Sequence, residues 1–519
     1  NDGSIVVTAT ADGTATSGDV NVIAFGMELE AVYGAVSNDG SIAVTAKAMG
    51  SGAEGVWATA YGITTNQVQT GGSLSNTGSI IVSAEAKDGA KAYGIDVGTL
   101  DGTLYNSGRV LAVAANDGDA YAVKVLNGAG SATFTTESLF AGRLSLSNAE
   151  LTVESVANTP SIFWTFEDIP DAVTLDDANG PKLYSKVTDD GTIIATVEPA
   201  NLAFSGQIAA DMANMGEETV AAMLAATPSN ITTDTPRMYL LEPSKAAEQG
   251  EAFFEGSFVS RKVDDAAGRQ MDFDVSSVTA GFVNRLESGL GYGVTISRVN
   301  SKGSTASGLG ADTVDSSGTV IGTYGNMAFG AASLTFGATL GTLSNSGTRS
   351  VHDNVAASGV STVSAEYGSS FISPSIEASW TVPAGDMTIR PHVGYRYTKL
   401  SVDGFTETGG LAAATFGARE ASASDFTIGA EMSKAVSKGT LTGSADILRR
   451  VVSDNGASVA FFGETDHTLA ANTDFTALEL GIGYTMAVEA GEVSIGATSV
   501  LSNNGASSYG LAAGYRISF

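Results

Sequence analysis

From about residue 250 to its end the chain alternates. The last segment, YGLAAGYRISF, puts Leu511, Tyr515, Ile517 and Phe519 on one side and Gly514, Arg516 and Ser518 on the other. One face is apolar and aromatic, the other small, polar or charged, the period-two signature of a strand between unlike surroundings. Similar segments read at about 250–261, 275–287, 289–300, 318–329, 331–343, 361–382, 386–401, 423–436, 439–452, 474–488, 491–502 and 507–519. That makes twelve, and the connections between them differ in kind. Long ones span 262–274, 301–317, 344–360, 402–422 and 453–473; tight ones fall at Ser288, Gly330, Pro383, Ser437 and Glu489, and only the hairpin at Asn503 is short where a long loop is due. An even set of up-and-down strands with long loops at one end and short turns at the other predicts a transmembrane barrel.

The two faces support this reading. Leu478, Leu480, Ile482 and Tyr484 share one side of their segment, with Glu479 opposite; Val393, Tyr395 and Tyr397 oppose Arg390, His392 and Arg396. The inward set also takes in Glu255, Arg261, Glu377, Glu431, Asp446, Arg450 and Arg516. Arg or Lys on a lipid face costs roughly 2–4 kcal/mol at the midplane, so these charges must face a lumen. The expected lumen is a wet channel, too narrow for a folded protein but wide enough for a helix about 10 Å across. The strand from Tyr509 to Phe519 should close on the strand at 250–261, because no open edge survives in lipid.

Ahead of the barrel lies one strongly helical window, 205–227, SGQIAADMANMGEETVAAMLAAT, with Ser205 as a start signal and Pro228 as a stop. Ile208, Met212, Met215 and Met223 fall near one side, and Asp211, Glu217 and Glu218 keep it too polar for lipid. At 1.5 Å per residue it is roughly 30 Å long, about the hydrocarbon thickness of a bilayer.

The first 142 residues repeat. NDGSIVVTAT, NDGSIAVTAK, NTGSIIVSAE and NSGRVLAVAA start at Asn1, Asn38, Asn76 and Asn106, and each is followed by a second strand: AFGM, AYGI, AYGI and AVKV. The Asn-x-Gly starts read as turns. Stacked repeats of this length with short strands predict a β-solenoid, with Ile5, Ile42, Ile80 and Val110 as equivalent inward positions. Residues 143–203 lose the repeat, and Phe163, Trp164 and Phe166 suit a cap on an edge that would otherwise aggregate. The expected order is therefore solenoid 1–142, cap and junction 143–203, linker 204–249 with its helix, and barrel 250–519: an all-β protein with one lumen helix.

Composition narrows the chemistry. Net charge is -30, with Gly at 63 of 519 residues and no cysteine. So acidic a surface argues against nucleic-acid binding, and thiolate metal sites and disulfides are ruled out. The calcium-binding nonapeptide pattern is absent, and neither metal nor cofactor is expected. Three histidines, His352, His392 and His467, have no nucleophile motif or metal-ligand spacing beside them, so no catalysis is expected within these residues. GLGYG at Gly289 lies in a strand and opens no helix, unlike a phosphate loop. Asn1 opens inside a repeat, so the chain is expected to be the C-terminal part of a longer precursor.

The stretch PHVGYRYTKLSVDGFTETGG from Pro391, with LELGIGYTM and YGLAAGYRISF, resembles the translocator unit of bacterial autotransporters, the type V secretion proteins. The resemblance covers the whole chain and is strongest over 370–519. It implies a monomeric barrel in outer-membrane lipid, a helix in its lumen and a solenoid passenger at the cell surface. It further implies periplasmic chaperones and the outer-membrane barrel assembly machinery as partners, with Phe519, Ile517, Tyr515 and Leu511 as the insertion signal. Residues 143–203 would match the family's folding-promoting junction. Some members cut themselves at paired asparagines in the helix; here Asn214 stands without a second Asn, which argues against self-cleavage. Other readings stay open: an adhesin or coat protein whose solenoid binds a host or surface ligand, a protease-bearing passenger upstream of Asn1, and a diffusion porin.

Overall fold

The computed structural model describes residues 1–13, 19–50, 55–116, 118–168, 170–189, 191–198, 202, 205–225, 250–264, 270–286, 290–307, 310–437, 439–454, 456, 458–461, 464–466, 474–489, 491–503 and 507–518. The linker after the helix, His467 and Phe519 lie outside these residues.

The N-terminal repeats wind into a three-sided parallel solenoid. One face stacks Ser4–Gly13, Ser41–Gly50, Ser79–Glu85, Arg109–Ala114 and Leu139–Ala141; a second stacks Val20–Val32, Val56–Val68, Gly89–Leu100, Asp119–Asn127 and Arg143–Leu146; the third runs from Ala35–Asn38 to Ala172–Asn179. Ile5, Ile42, Ile80 and Val110 align in register. Two details differ from the sequence reading. Ala120, not Ala122, stands opposite Ala92, so the fourth repeat's second strand is read two residues too late. The repeat asparagines are not left-handed turn residues. Asn38, Asn76 and Asn106 are fully buried; Asn38 donates to Asn76 and Asn76 to Asn106, each at 2.7 Å, and Asn106 donates to Ser138 Oγ at 2.9 Å. The ladder satisfies buried polar groups that would otherwise cost about 1–3 kcal/mol each.

The junction closes the solenoid. Ser161–Phe166, Leu183–Thr188 and Gly191–Thr196 pair antiparallel at its end. Trp164 is fully buried against Phe134 and Phe140, while Phe163, on the opposite side of the strand, turns toward the barrel.

The barrel closes as a single antiparallel ring of twelve strands: Glu251–Asp264, Gln270–Arg285, Leu290–Ser307, Gly310–Phe329, Ala332–Asp353, Val360–Trp380, Met387–Val402, Arg419–Val436, Gly439–Asp454, Phe475–Val488, Gly491–Ser502 and Ser507–Ser518. The last strand pairs with the first from Glu251↔Ser518 to Lys262↔Ser507. The long loops expected at 301–317 and 344–360 are mostly strand. The fifth and sixth strands hold 22 and 21 residues, where about ten suffice to cross a bilayer. Their alternation turns from apolar to Ser, Thr and Asn outside the lipid, which hides them from a search for apolar faces. They rise as a wall above the membrane. At its top Ser161–Phe163 pairs in parallel with Val351–Asp353. Asn354 donates to the carbonyls of Gly142 and Thr165, and its side-chain oxygen accepts from the Thr165 amide.

Candidate functional site in the barrel lumen

The helix Ser205–Ala225 enters the barrel from the junction side. Its first half, Gly206–Met215, is buried. Ile208, Met212 and Met215 pack on inward apolar side chains, among them Val259, Phe273, Val314 and Phe371. The wall around the helix is therefore partly dry, which corrects the expected wet channel. Alternation predicts which side chains point inward; it does not require them to be polar where a helix covers them. The side chain of Met223 lies outside the described residues.

Charge fixes the helix in place. Asp211 meets Arg261 at 2.8 Å and Arg450 at 2.9 Å, with all three side chains at 1 % exposure or less. Arg450 also forms a two-pronged pair with Asp425, 2.7 Å on each prong, and donates to Gln207 Oε1 at 3.1 Å. The two guanidiniums flank the Phe475 ring at 5.8 and 5.6 Å from its centroid. Above them Arg419 donates to Leu202 O and Ser205 Oγ. Ser205, expected as an N-cap acceptor, has its hydroxyl donated to Leu202 O at 3.0 Å. Asn214 is buried on the same helix.

A second group lines the inner wall. Arg390 pairs with Glu377 at 2.8 Å and lies 3.8 Å from Glu431. His392 reaches Asp446 at 3.0 Å across an intervening strand. Gly429 makes that reach feasible, since a Cβ there would collide with Asp446 Oδ1. Glu479 stands directly opposite Asp446, and Glu255 and Arg396 also lie on the wall, Glu255 buried and Arg396 half-buried. Near the closing seam Arg516 joins Glu251 and Glu492, tying the last strand to both its neighbours. The outer face carries the reverse: Leu511, Tyr515, Ile517, Leu480 and Ile482 are exposed.

The sequence reading gives Asp211 only a role in keeping the helix out of lipid, not these ion pairs, and it does not pick out Asp425, Arg419 or Gly429. Asp211 had a readable signal: it shares a helix face with Ile208, Met212 and Met215, and an acid inside an apolar stripe needs a buried partner. Asp425 and Gly429 had none, because their partners sit on other strands. Among the described residues no group of His, Asp and Glu is placed to hold a metal ion, and no helix is long and apolar enough to cross a membrane.

The autotransporter β-domain family model matches residues 252–499. No curated protein matches the chain in sequence. Among solved structures, the translocator domain of NalP from Neisseria meningitidis is similar at 15% identity over 53% of this chain and 90% of that one, TM-score 0.44. The β-domain of Bordetella BrkA is similar at 16% over 52% and 99%, TM-score 0.38. The transport unit of AIDA-I from Escherichia coli is similar at 13% over 62% and 100%, TM-score 0.39. With TM-scores this low, the superpositions add nothing to the family match.

Proposed function

We propose that this chain, whose residues 252–499 belong to the autotransporter β-domain family, carries its N-terminal solenoid across the outer membrane that holds its barrel and keeps it at the cell surface. One observation carries the reading. The helix leaves the junction, enters the lumen at the end where Arg419 holds Ser205, and is gripped inside by Arg261 and Arg450 through Asp211. The solenoid is thereby tethered on one side of the bilayer by a segment lying in the pore. A diffusion porin has no use for a lumen filled this way.

The solenoid serves as a stalk, since its second face carries a ladder of stacked rings from coil to coil. Catalysis is not assigned to these residues. The last strand is delivered by periplasmic chaperones and inserted by the barrel assembly machinery, which reads Leu511, Tyr515 and Ile517 along its outer face together with the terminal residue Phe519 of the sequence. No nucleic acid takes part.

The test is protease shaving of intact cells that express the chain with an epitope before Ser4. Loss of the epitope without lysis is the expected result. An epitope protected in intact cells and cleaved only after the outer membrane is disrupted would refute surface display.

A further inference from the structure

The barrel has a second obstruction, above the helix. Residues 403–418 do not stand clear of the rim as a loop; they fold back over the mouth. The segment is anchored at three points. Its backbone bridges Ser364 and Thr408, on the free edge of the sixth strand above the membrane. Phe405 stacks on Tyr367 at 4.4 Å and on Phe416 at 4.8 Å. Glu407 enters the wall and takes a two-pronged pair from Arg349, at 3.0 and 2.5 Å, with both side chains buried. Arg349 also donates to the Ala412 carbonyl at 3.0 Å, and the Ala414 amide donates to Glu407. A buried ion pair with both carboxylate oxygens engaged fixes one geometry, and loss of one partner leaves a costly bare charge.

The lid is not complete by itself. Ala412, Ala414 and Phe416 are buried in one cluster with Val363 of the wall, Phe461 of the neighbouring loop, and Phe163 and Tyr184 of the passenger junction. Phe461 meets Phe163 edge-on at 6.4 Å and Tyr184 at 6.0 Å. The junction is thus the upper layer of a sandwich in which the lid is the filling and the barrel wall the base. A chain still passing through the mouth would occupy the same space as this lid.

We propose that residues 403–418 are a second closure of the pore, latched by Arg349 and Glu407 and set only when the passenger's own junction has folded onto it. The inference rests on the display reading for its direction, outward, and for the event it follows, passage of the chain. It makes sealing a consequence of passenger folding: the helix fills the membrane-spanning lumen, and the junction then presses the lid shut above it.

The chain has no cysteine, so a single thiol reports cleanly. Val363, beneath the lid and 1 % exposed, becomes the probe as Val363→Cys; Leu411, 81 % exposed on the lid's tip, becomes the control as Leu411→Cys. Intact cells expressing the full chain are treated with a bulky membrane-impermeant maleimide. The control thiol on the lid's tip should label readily and the probe thiol beneath the lid slowly. Adding Glu407→Gln to the probe, or separately Tyr184→Ala with Phe163→Ala in the junction, should speed labelling of the probe at least tenfold. Adding Asp211→Asn, which touches only the helix, should not. Heat-modifiable migration on gels verifies that each barrel is folded, and Arg349→Lys serves as a milder latch variant if Glu407→Gln fails this check. Fast labelling of Val363→Cys in the otherwise unaltered chain, or no acceleration from either the latch or the junction variants, would overturn the lid. Failure of Leu411→Cys to label until the membrane is broken would instead overturn the outward orientation, and so the display reading beneath it.

Discussion

In the solenoid strand Ser41–Gly50 the residues hidden from water are Ile42, Val44, Ala46 and Ala48; in the barrel strand Phe475–Val488 the hidden ones include Glu479 and Thr485, while Leu478, Leu480 and Ile482 are bare. Both regions use a two-residue alternation and nearly the same thin Gly, Ala, Ser and Thr vocabulary. They differ in which face is dry. The solenoid turns its apolar face in on itself and stacks coils along an axis. The barrel turns it out to lipid and fills its inside with a helix, ion pairs and hydroxyls. The lesson is that alternation fixes only that two faces differ. Loop lengths, repeat spacing and the placing of charges decide which solvent each face meets.

The sharpest way to break this comparison is to put one substitution into both regions. Ile80→Arg sets a charge in the fully buried solenoid ladder, where the uncompensated ion costs on the order of 5 kcal/mol or more. Ile482→Arg sets it on the lipid face, where the cost is about 2–4 kcal/mol. Protease resistance of the solenoid should collapse in the first with the barrel's heat-modifiable migration intact, and the second should do the reverse. If Ile482→Arg left insertion and migration unchanged, the bare face would not be facing lipid.

Next comes the helix. Asp211→Asn leaves Arg261 buried without its counter-charge, while Arg450 keeps Asp425. The seated helix should lose about 3 kcal/mol, the low end for breaking a buried pair. With the lid unlatched in both parent and variant by Glu407→Gln, channel openings of the purified chain in planar bilayers should rise roughly a hundredfold when Asp211→Asn is added, by the 1.4 kcal/mol per decade that relates energies to populations. A conductance trace indistinguishable from the parent's would mean that packing by Met212 and its neighbours, not charge, retains the plug.

Much of this architecture is legible in the chain, and the illegible part has physical reasons. The twelve strands and their inward charges follow from alternation because lipid punishes any exception within the membrane. Outside the membrane that discipline ends. The extended wall of the fifth and sixth strands alternates Ser with Asn and Thr, and reads as loop until pairing is seen. The Asn ladder has the same sequence signature as a run of turns; only stacking in register reveals that Asn76 binds Asn38 and Asn106. The latch between Arg349 and Glu407 joins residues 58 positions apart, and no spacing rule connects them. The lumen helix is visible by propensity, yet its grip depends on which strands face Asp211.

His352 tests the seam between the two regions. It sits at the top of the wall beside the junction, and burial pulls it down to about 4, outweighing the Ser138 backbone, which favours the charged form. Its docked value lies below its free value of 6.5, so the undocked state binds more protons between the two. Docking is then at full strength above about pH 6.5 and weakens as pH falls toward 4. At about pH 5 the loss is on the order of 2 kcal/mol. Proteolysis between solenoid and barrel should accelerate on acidification, and His352→Gln should flatten that response. A response that stays steep in His352→Gln would assign it to other groups at the seam.

The smallest effect marks how far the two regions are independent. Phe25, Tyr61, Tyr93 and Tyr121 stack on the solenoid's second face at 5.1, 5.0 and 5.7 Å, with rings within 12° of parallel. Because Tyr61 and Tyr93 each have a ring stacked on both faces, the ladder acts as a staple between coils. Tyr61→Leu keeps a large apolar side chain and removes two stacking terms, worth about 1 kcal/mol in all. A solenoid's stability is a sum of nearest-neighbour contacts, so the loss should stay local. Amide exchange should quicken in Val20–Val32 and Gly89–Leu100, which flank the substituted strand, and remain unchanged in the barrel. If exchange also quickened along Phe475–Val488, solenoid and barrel would form one cooperative unit. The junction would then transmit stability between them as well as join them.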